Sequence, residues 1–352
     1  MHEATLYEKR SGGTVRCTAC RHYCVIADKQ TGICGVRQNV GGKLYLLVYG
    51  RAASVAVDPI EKKPLHHFLP GTSILSLGTV GCNFGCRFCQ NWGISQVTRE
   101  MRAEFLKKKT PELMGAQVSA LGYDLAPEKI VGMCAERGLP SIAFTYNEPA
   151  IFFEYAYDTA KLAHERGIRS VFVSNGYESE EALTAIRPYL DAMNIDLKSF
   201  SEKFYSGLCQ AKLAPVLETI RLAHRLGIWV ELTTLLIPGK NDSEDELRQI
   251  AGFIAGISKD IPWHISAFHP DYKMEDVPAT GRASLERAYA IGKSAGLRFV
   301  YVGNVLDDEH SSTLCPQCGT PLIERRGYDV TLAGLKDGAC AKCGERIPGV
   351  WA

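Results

Sequence analysis

The stretch Leu75–Trp92, LSLGTVGCNFGCRFCQNW, decides how this chain is read. It opens on a short apolar run that reads as a buried strand, then places Cys82, Cys86 and Cys89 in a C-x3-C-x2-C array on one loop. Three thiolates do not complete a tetrahedral zinc site, which takes four ligands. They can hold three irons of a [4Fe-4S] cluster and leave the fourth iron open to a substrate or cofactor. Gly81 and Gly85 let such a loop fold tightly around a metal, because they carry no Cβ. A zinc or disulfide cluster is the alternative, and it accounts less well for the preceding strand and for the aromatic Phe88.

Outside this loop, 352 residues suffice for one large domain with appendages or for two domains. A formal net charge of +1 gives no electrostatic reason to expect nucleic acid or a membrane as partner. No apolar run approaches the ~20 residues of a transmembrane helix. The stretch MHEATLYEKRSGG at the start lacks the apolar core of a signal peptide. Thirteen cysteines without an export signal argue for metal binding in a reducing cytoplasm rather than for a disulfide framework. Eleven of them fall into three tight groups. Cys134 shares the apolar face of an expected helix with Ile130 and reads as a core thiol, while Cys209 has no evident role.

The first group, Cys17, Cys20, Cys24 and Cys34, is spaced C-x2-C-x3-C-x9-C. Four ligands suit a closed zinc site or a second [4Fe-4S] cluster; the spacing does not choose between them, and zinc is the reading preferred here. His22, inside the group, is either an alternative ligand or a surface histidine. Residues 43–57 read as a hairpin or two short strands around Gly50. The segment DPIEKKPLHHFLPG, Asp58 to Gly71, precedes the cysteine strand and is expected to lie over the site.

From about Pro127 a period appears, in which a glycine ends a helical segment and a buried strand follows. Gly138, Gly167, Gly227 and Gly296 mark the repeat. Strands are expected near 73–79, 141–146, 169–174, 191–197, 229–236, 263–268 and 298–303. This is an α/β chain, read as a partial (β/α)6-type TIM barrel with its chemistry at the C-terminal strand ends. Residues 93–124, with Lys107, Lys108 and Lys109, break the period and read as a solvated loop or helix face. The expected organisation is an N-terminal Cys-rich segment at 1–72, the barrel at 73–308 and a tail at 309–352. In the tail, Cys315, Cys318, Cys340 and Cys343 form two CxxCG knuckles, the pattern of a structural or protein-docking zinc ribbon.

The cysteine loop resembles that of the radical SAM superfamily, C-x3-C-x-aromatic-C after the first strand of a β/α barrel, with Phe88 as the aromatic. The resemblance implies that the open iron chelates S-adenosylmethionine and that one electron cleaves its sulfonium to a 5′-deoxyadenosyl radical. At the end of the second barrel strand, Asn147 and Glu148 of TYNEP can accept hydrogen bonds from an ammonium group. That position matches the family's Gly-Gly-Glu segment for the methionine amine, although Tyr146 and Asn147 replace the glycines. Ser174-Asn175-Gly176 and Asp196-Leu197-Lys198 are similar to segments that meet the cofactor's ribose and carboxylate in glycyl-radical-enzyme activases. LLIPGKND, Leu235 to Asp242, is similar to another activase segment, and His269 of FHPDYKM matches the family histidine near the cofactor. His264 reads instead as a satisfied core residue.

Together with the four-Cys N-terminus and the tail ending in IPGVW, these segments resemble the radical SAM enzymes of the AmmeMemoRadiSam system, relatives of pyruvate formate-lyase activating enzymes. The resemblance implies an oxygen-sensitive oxidoreductase, a single-electron donor such as flavodoxin or ferredoxin, and hydrogen abstraction. The substrate is either a glycine of a partner protein or a small molecule enclosed by the appendages. A metal-binding adaptor that docks a partner without catalysis is the competing reading.

Overall fold

A computed structural model of the chain describes residues 1–307 and 309–351. The expected barrel limit at Asp308 and the final Ala352 lie outside the described residues. Two compact units emerge: Met1–Val57, Ile74–Asp191 and Cys209–Ala211 form the first, and Asp58–Ser73, Ala192–Leu208 and Lys212–Ala352 the second.

The first unit begins with β1 (Tyr7–Lys9), β2 (Val15–Cys17) and β3 (Val25–Ile26), paired antiparallel. Next come β4 (Arg37–Val40) and β5 (Lys43–Leu46), also antiparallel. The hairpin expected within 43–57 therefore turns earlier. Gly41 and Gly42 both hold positive φ, +61° and +79°, which is the backbone a two-residue hairpin turn needs. Arg51–Ala52 and Ser54–Pro59 supply the two further short strands.

The core follows with β6 (Ser73–Gly78), α1 (Val97–Lys108), α2 (Pro127–Glu136), β7 (Ser141–Phe144), α3 (Phe153–Glu165) and β8 (Arg169–Ser174). β7 lies between β6 and β8 and is parallel to both, with Phe144 opposite Leu77 and Phe172. All four β7 residues are buried, as in a parallel sheet covered on both faces. Lys107, Lys108 and Lys109 are exposed as expected, but Thr98 in the first turn of α1 is fully buried.

In the second unit β9 (Ala192–Asp196), α4 (Leu213–Arg225), β10 (Trp229–Leu236), α5 (Glu244–Ile257), β11 (Trp263–Ala267), α6 (Arg282–Ser294) and β12 (Val300–Gly303) alternate. The four strands are parallel in that order. Ser243 caps α5, and Leu247, Ile250, Ala251 and Ile254 form its buried stripe at helical spacing. Each expected strand position carries a strand, and Gly138, Gly167, Gly227 and Gly296 end their helices at φ of +62°, +70°, +75° and +88°.

The loop after Asp58 departs from expectation. It packs on the first halves of β10 and β11, where Glu231 is wholly buried. Glu231 accepts the backbone N–H groups of His66 (2.9 Å) and His67 (2.8 Å) and the indole N–H of Trp229 (3.0 Å). His264 Nε2 lies 2.6 Å away, so His264 is the satisfied core residue foreseen. Burial works to raise Glu231, yet its hydrogen bonds, that with His264 foremost, leave it below the ordinary carboxylate value. The loop is thus drawn to a buried charge that needs donors.

The tail packs on the same floor. Phe299, Tyr301, Leu322, Ile323 and Ile347 share a core cluster with Cys315 and Cys340. Arg325, fully buried, donates to the carbonyl of His66 at 2.8 Å and to Thr313 Oγ1 at 2.9 Å.

In the first unit, Arg37 and Glu154 form a two-pronged buried pair, 3.2 and 2.6 Å, that ties β4 to α3. Each is only 2% exposed. Removing one partner strands the other charge, so Glu154→Ala is expected to cost about 3–5 kcal/mol in chemical denaturation. An Arg37→Met/Glu154→Leu double variant should lose much less. Equal losses in the two would show that the pair's charge is not what matters.

Candidate functional site

The cysteine loop leaves the C-terminal end of β6, the end at which open α/β sheets place ligands. The backbone is crowded there. A Cβ on Gly78 would sit 2.7 Å from the Thr145 carbonyl oxygen, and one on Gly81 (φ +95°) 2.7 Å from Thr98 Oγ1. Around the loop, polar groups hold its backbone in place. Asn147 Nδ2 donates to Thr79 Oγ1 (3.0 Å) and to the Gly81 carbonyl (2.9 Å), while its Oδ1 accepts the Thr79 N–H (3.3 Å). Arg99 donates to the Asn83 carbonyl at 3.2 Å, and Gln96 to that of Phe84 at 3.2 Å. Gly85 N–H donates to the Cys209 carbonyl at 2.8 Å. Cys209, which carried no signal in the sequence, therefore acts through its backbone.

Cys82 and Cys86 are buried and Cys89 is half-buried, with Phe88 buried between the last two. Burial pushes the Cys82 thiol well up, and the nearby Glu148 adds to the shift. Among the described residues, only the tail cysteines bring three or more ligand atoms all within 4.8 Å of one another. The three loop thiols do not form such a group. Beside them, Asn175 Nδ2 lies 2.7 Å from Asn83 Oδ1 and 3.8 Å from Cys82 Sγ. Asn83 Nδ2 and Asn175 Oδ1 are buried without a hydrogen-bond partner. Two orphaned amide atoms beside a buried thiol leave room for a polar ligand that would complete them. Asn83 was missed from sequence, although a polar residue inside a ligand loop was the available signal.

Glu148 is 0% exposed and joins the ends of β7 and β8. It accepts from Ala150 N–H (3.0 Å), Ser174 Oγ (3.1 Å) and Asn175 N–H (2.8 Å). Burial raises its carboxyl well above the usual value, and the neighbouring Glu178 raises it further. Asn147 therefore braces the loop directly, while Glu148 holds Ser174 and the backbone of Asn175, whose amide lies against Cys82 and Asn83.

In the second unit, Lys198 Nζ pairs with Asp196 Oδ2 at 2.7 Å, both partly buried. The Lys198 backbone is fixed by the Tyr205 hydroxyl (3.1 Å) and the Asn241 amide (2.7 Å). Asn241 belongs to the LLIPGKND segment and also accepts the Ile237 N–H at 2.7 Å, so that segment orders the strand end. His269 is exposed.

Cys17, Cys20, Cys24 and Cys34 line one cavity in the first unit. His22 stands outside that lining, half-buried, with Nε2 3.0 Å from the Asn83 carbonyl, and is not the surface residue expected. In the tail, Cys315 and Cys343 Sγ are 3.6 Å apart and Cys318 and Cys340 Sγ 3.7 Å. The two knuckles are built alike, Gly319 N–H donating to the Cys315 carbonyl and Gly344 N–H to that of Cys340, each at 2.9 Å.

An uncharacterized protein of Methanocaldococcus jannaschii is 42% identical to this chain over 350 residues, 99% of each. A putative glycyl-radical enzyme activating enzyme of the same organism is 25% identical over 198 residues, 55% of this chain and 67% of the relative. The pyruvate formate-lyase-activating enzyme of Clostridium pasteurianum is 22% identical over 216 residues, 56% of this chain and 81% of the relative. The family model described as the radical SAM superfamily matches residues 76–253, half of the chain, beginning at the strand that delivers the three cysteines. The chain belongs to the radical SAM superfamily of enzymes.

Proposed function

We propose that this enzyme cleaves S-adenosylmethionine reductively at a [4Fe-4S] cluster held by Cys82, Cys86 and Cys89, and uses the product radical to abstract hydrogen from a substrate. The observation that carries the reading is the pair of orphaned amide atoms, Asn83 Nδ2 and Asn175 Oδ1, beside Cys82. Bound together, cluster and cofactor supply one-electron cleavage of a sulfonium to a 5′-deoxyadenosyl radical. Asn175 meets the cofactor directly, and Glu148 positions Asn175 through its backbone N–H. Asp196 and Lys198 offer a carboxylate and an ammonium to ribose hydroxyls and a carboxylate, and His269, just past the end of β11, is assigned to the same cofactor. A partial (β/α)6-type barrel is part of this reading.

Two relatives named as activating enzymes favour glycine hydrogen abstraction on a partner protein. The electron comes from a flavodoxin or ferredoxin. The tail holds zinc: Zn–S bonds of ~2.3 Å in a tetrahedron put sulfurs ~3.8 Å apart, close to the 3.6 and 3.7 Å found. Among the described residues no helix is long and apolar enough to cross a membrane, and a cytoplasmic setting is part of this reading.

Anaerobic enzyme reduced with dithionite should release 5′-deoxyadenosine from S-adenosylmethionine, and Cys82→Ala/Cys86→Ala/Cys89→Ala should abolish the release. Persistent cleavage in that variant would refute the site. With a correct protein partner made from deuterated glycine, label should enter 5′-deoxyadenosine and a glycyl EPR doublet should appear.

Asn175→Ala removes a hydrogen-bonding group from a charged ligand, worth a ~10- to 100-fold loss of cofactor affinity by titration of the cluster's EPR signal. Glu148→Gln separates charge from shape. Because burial raises the folded-state pKa of Glu148, its contribution to apo stability is full at low pH and is lost as pH rises through the raised value. The Gln variant should flatten that decline in Tm; an unchanged slope would mean that Glu148 is not the group responsible.

Ala substitution of Cys315, Cys318, Cys340 and Cys343 should remove about one zinc per chain and no iron. Iron loss would reassign the tail.

A further inference from the structure

We infer that Cys17, Cys20, Cys24 and Cys34 hold a second [4Fe-4S] cluster, fully ligated by protein, rather than a zinc ion. This goes beyond the proposed function and rests on it only for the reading of the loop at residues 82–89 as a cluster site. The chain supplies its own standards for comparison. In the tail, four thiols converge as a single ion requires, all within 4.8 Å. The cysteine loop at residues 82–89, a cluster site by superfamily, lacks that close approach among the described residues. No three of the four N-terminal thiols reach it either. Nevertheless all four face one shared cavity, together with Ala19, Ile26, Ile33, Ala150 and Ile151.

A set of thiols that share a cavity but stand wider than a zinc tetrahedron suits a larger inorganic core. Each sulfur then binds a different iron, so the spacing between ligands is set by the core and not by one ion. The surroundings agree. Cys17, Cys20 and Cys34 are buried, which shields a cluster from water and oxygen. Arg37 is on the lining and is fixed by Glu154, so a guanidinium stays beside the thiolate-rich core.

Backbone hydrogen bonds also hold the ligand segment in place. Cys17 N–H donates to the Cys24 carbonyl at 2.9 Å, and Tyr23 N–H to that of Cys20 at 3.0 Å. Arg21 N–H and Ser179 N–H tie the segment to the loop after β8, through the Tyr177 and Ala19 carbonyls. The Cys34 carbonyl accepts from Thr98 Oγ1 at 2.7 Å, in the helix that also braces the radical loop through Arg99.

The test uses the full chain, reconstituted anaerobically with iron and sulfide, and its Cys82→Ala/Cys86→Ala/Cys89→Ala variant. Wild type should bind about eight irons and the variant about four, with matching sulfide. The variant's reduced EPR signal should not change when S-adenosylmethionine is added, because no iron is left open. Substituting Cys17 and Cys20 by Ala in the full chain should remove about four irons while zinc stays constant. A loop variant that holds no iron overturns the inference, whether or not a second zinc replaces it. The proposed function fails by a different result: no cofactor response in wild type while the loop variant keeps its cluster. If the Cys17/Cys20 variant does not fold, the loop variant alone decides.

Discussion

The cysteine loop depends on hydrogen bonds to its backbone between Thr79 and Gly85. The Asn147 amide grips the loop at its start, Arg99 and Gln96 hold its middle, and the Cys209 carbonyl holds its far side. Gly78 and Gly81 are required because their neighbours approach too closely for any Cβ. These partners come from three parts of the sequence, residues 96–99, Asn147 and Cys209. A site built this way is preorganised by the scaffold.

Burial sets the electrostatics. Cys82, Glu148 and Glu178 are all buried acids, and each is raised by the loss of water before any neighbour acts. Elsewhere the chain settles buried charge internally, by Arg37 with Glu154 and by Glu231 with its four donors. The contrast separates scaffold from site: the scaffold pairs are closed, and the site keeps unfilled amide valences.

The segment after Asp58 and the cysteine tail are organised around one another. His66 and His67 give their N–H groups to Glu231, and the His66 carbonyl receives Arg325 from the tail. Val350 N–H closes the set on the His67 carbonyl at 2.8 Å. The tail is therefore anchored to the floor of its own unit, and its knuckles are shaped by glycine turns and core packing as well as by any metal.

Local sequence alone determined the strands, the glycine helix stops and all three cysteine groups, because each rests on periodicity or spacing within a few residues. It also identified Glu148, Ser174 and Asn175 as strand-end residues, since a strand followed by polar residues is a local pattern. Only the tertiary structure decided what those residues do. It made Asn147 a brace, brought in Asn83 and the Cys209 carbonyl, took His22 from the surface to the Asn83 carbonyl, and drew the His66–His67 loop to Glu231. The physical reason is that buried donors and acceptors must be satisfied wherever a partner lies, and partners as far apart as His66 and Glu231 leave no trace in local spacing.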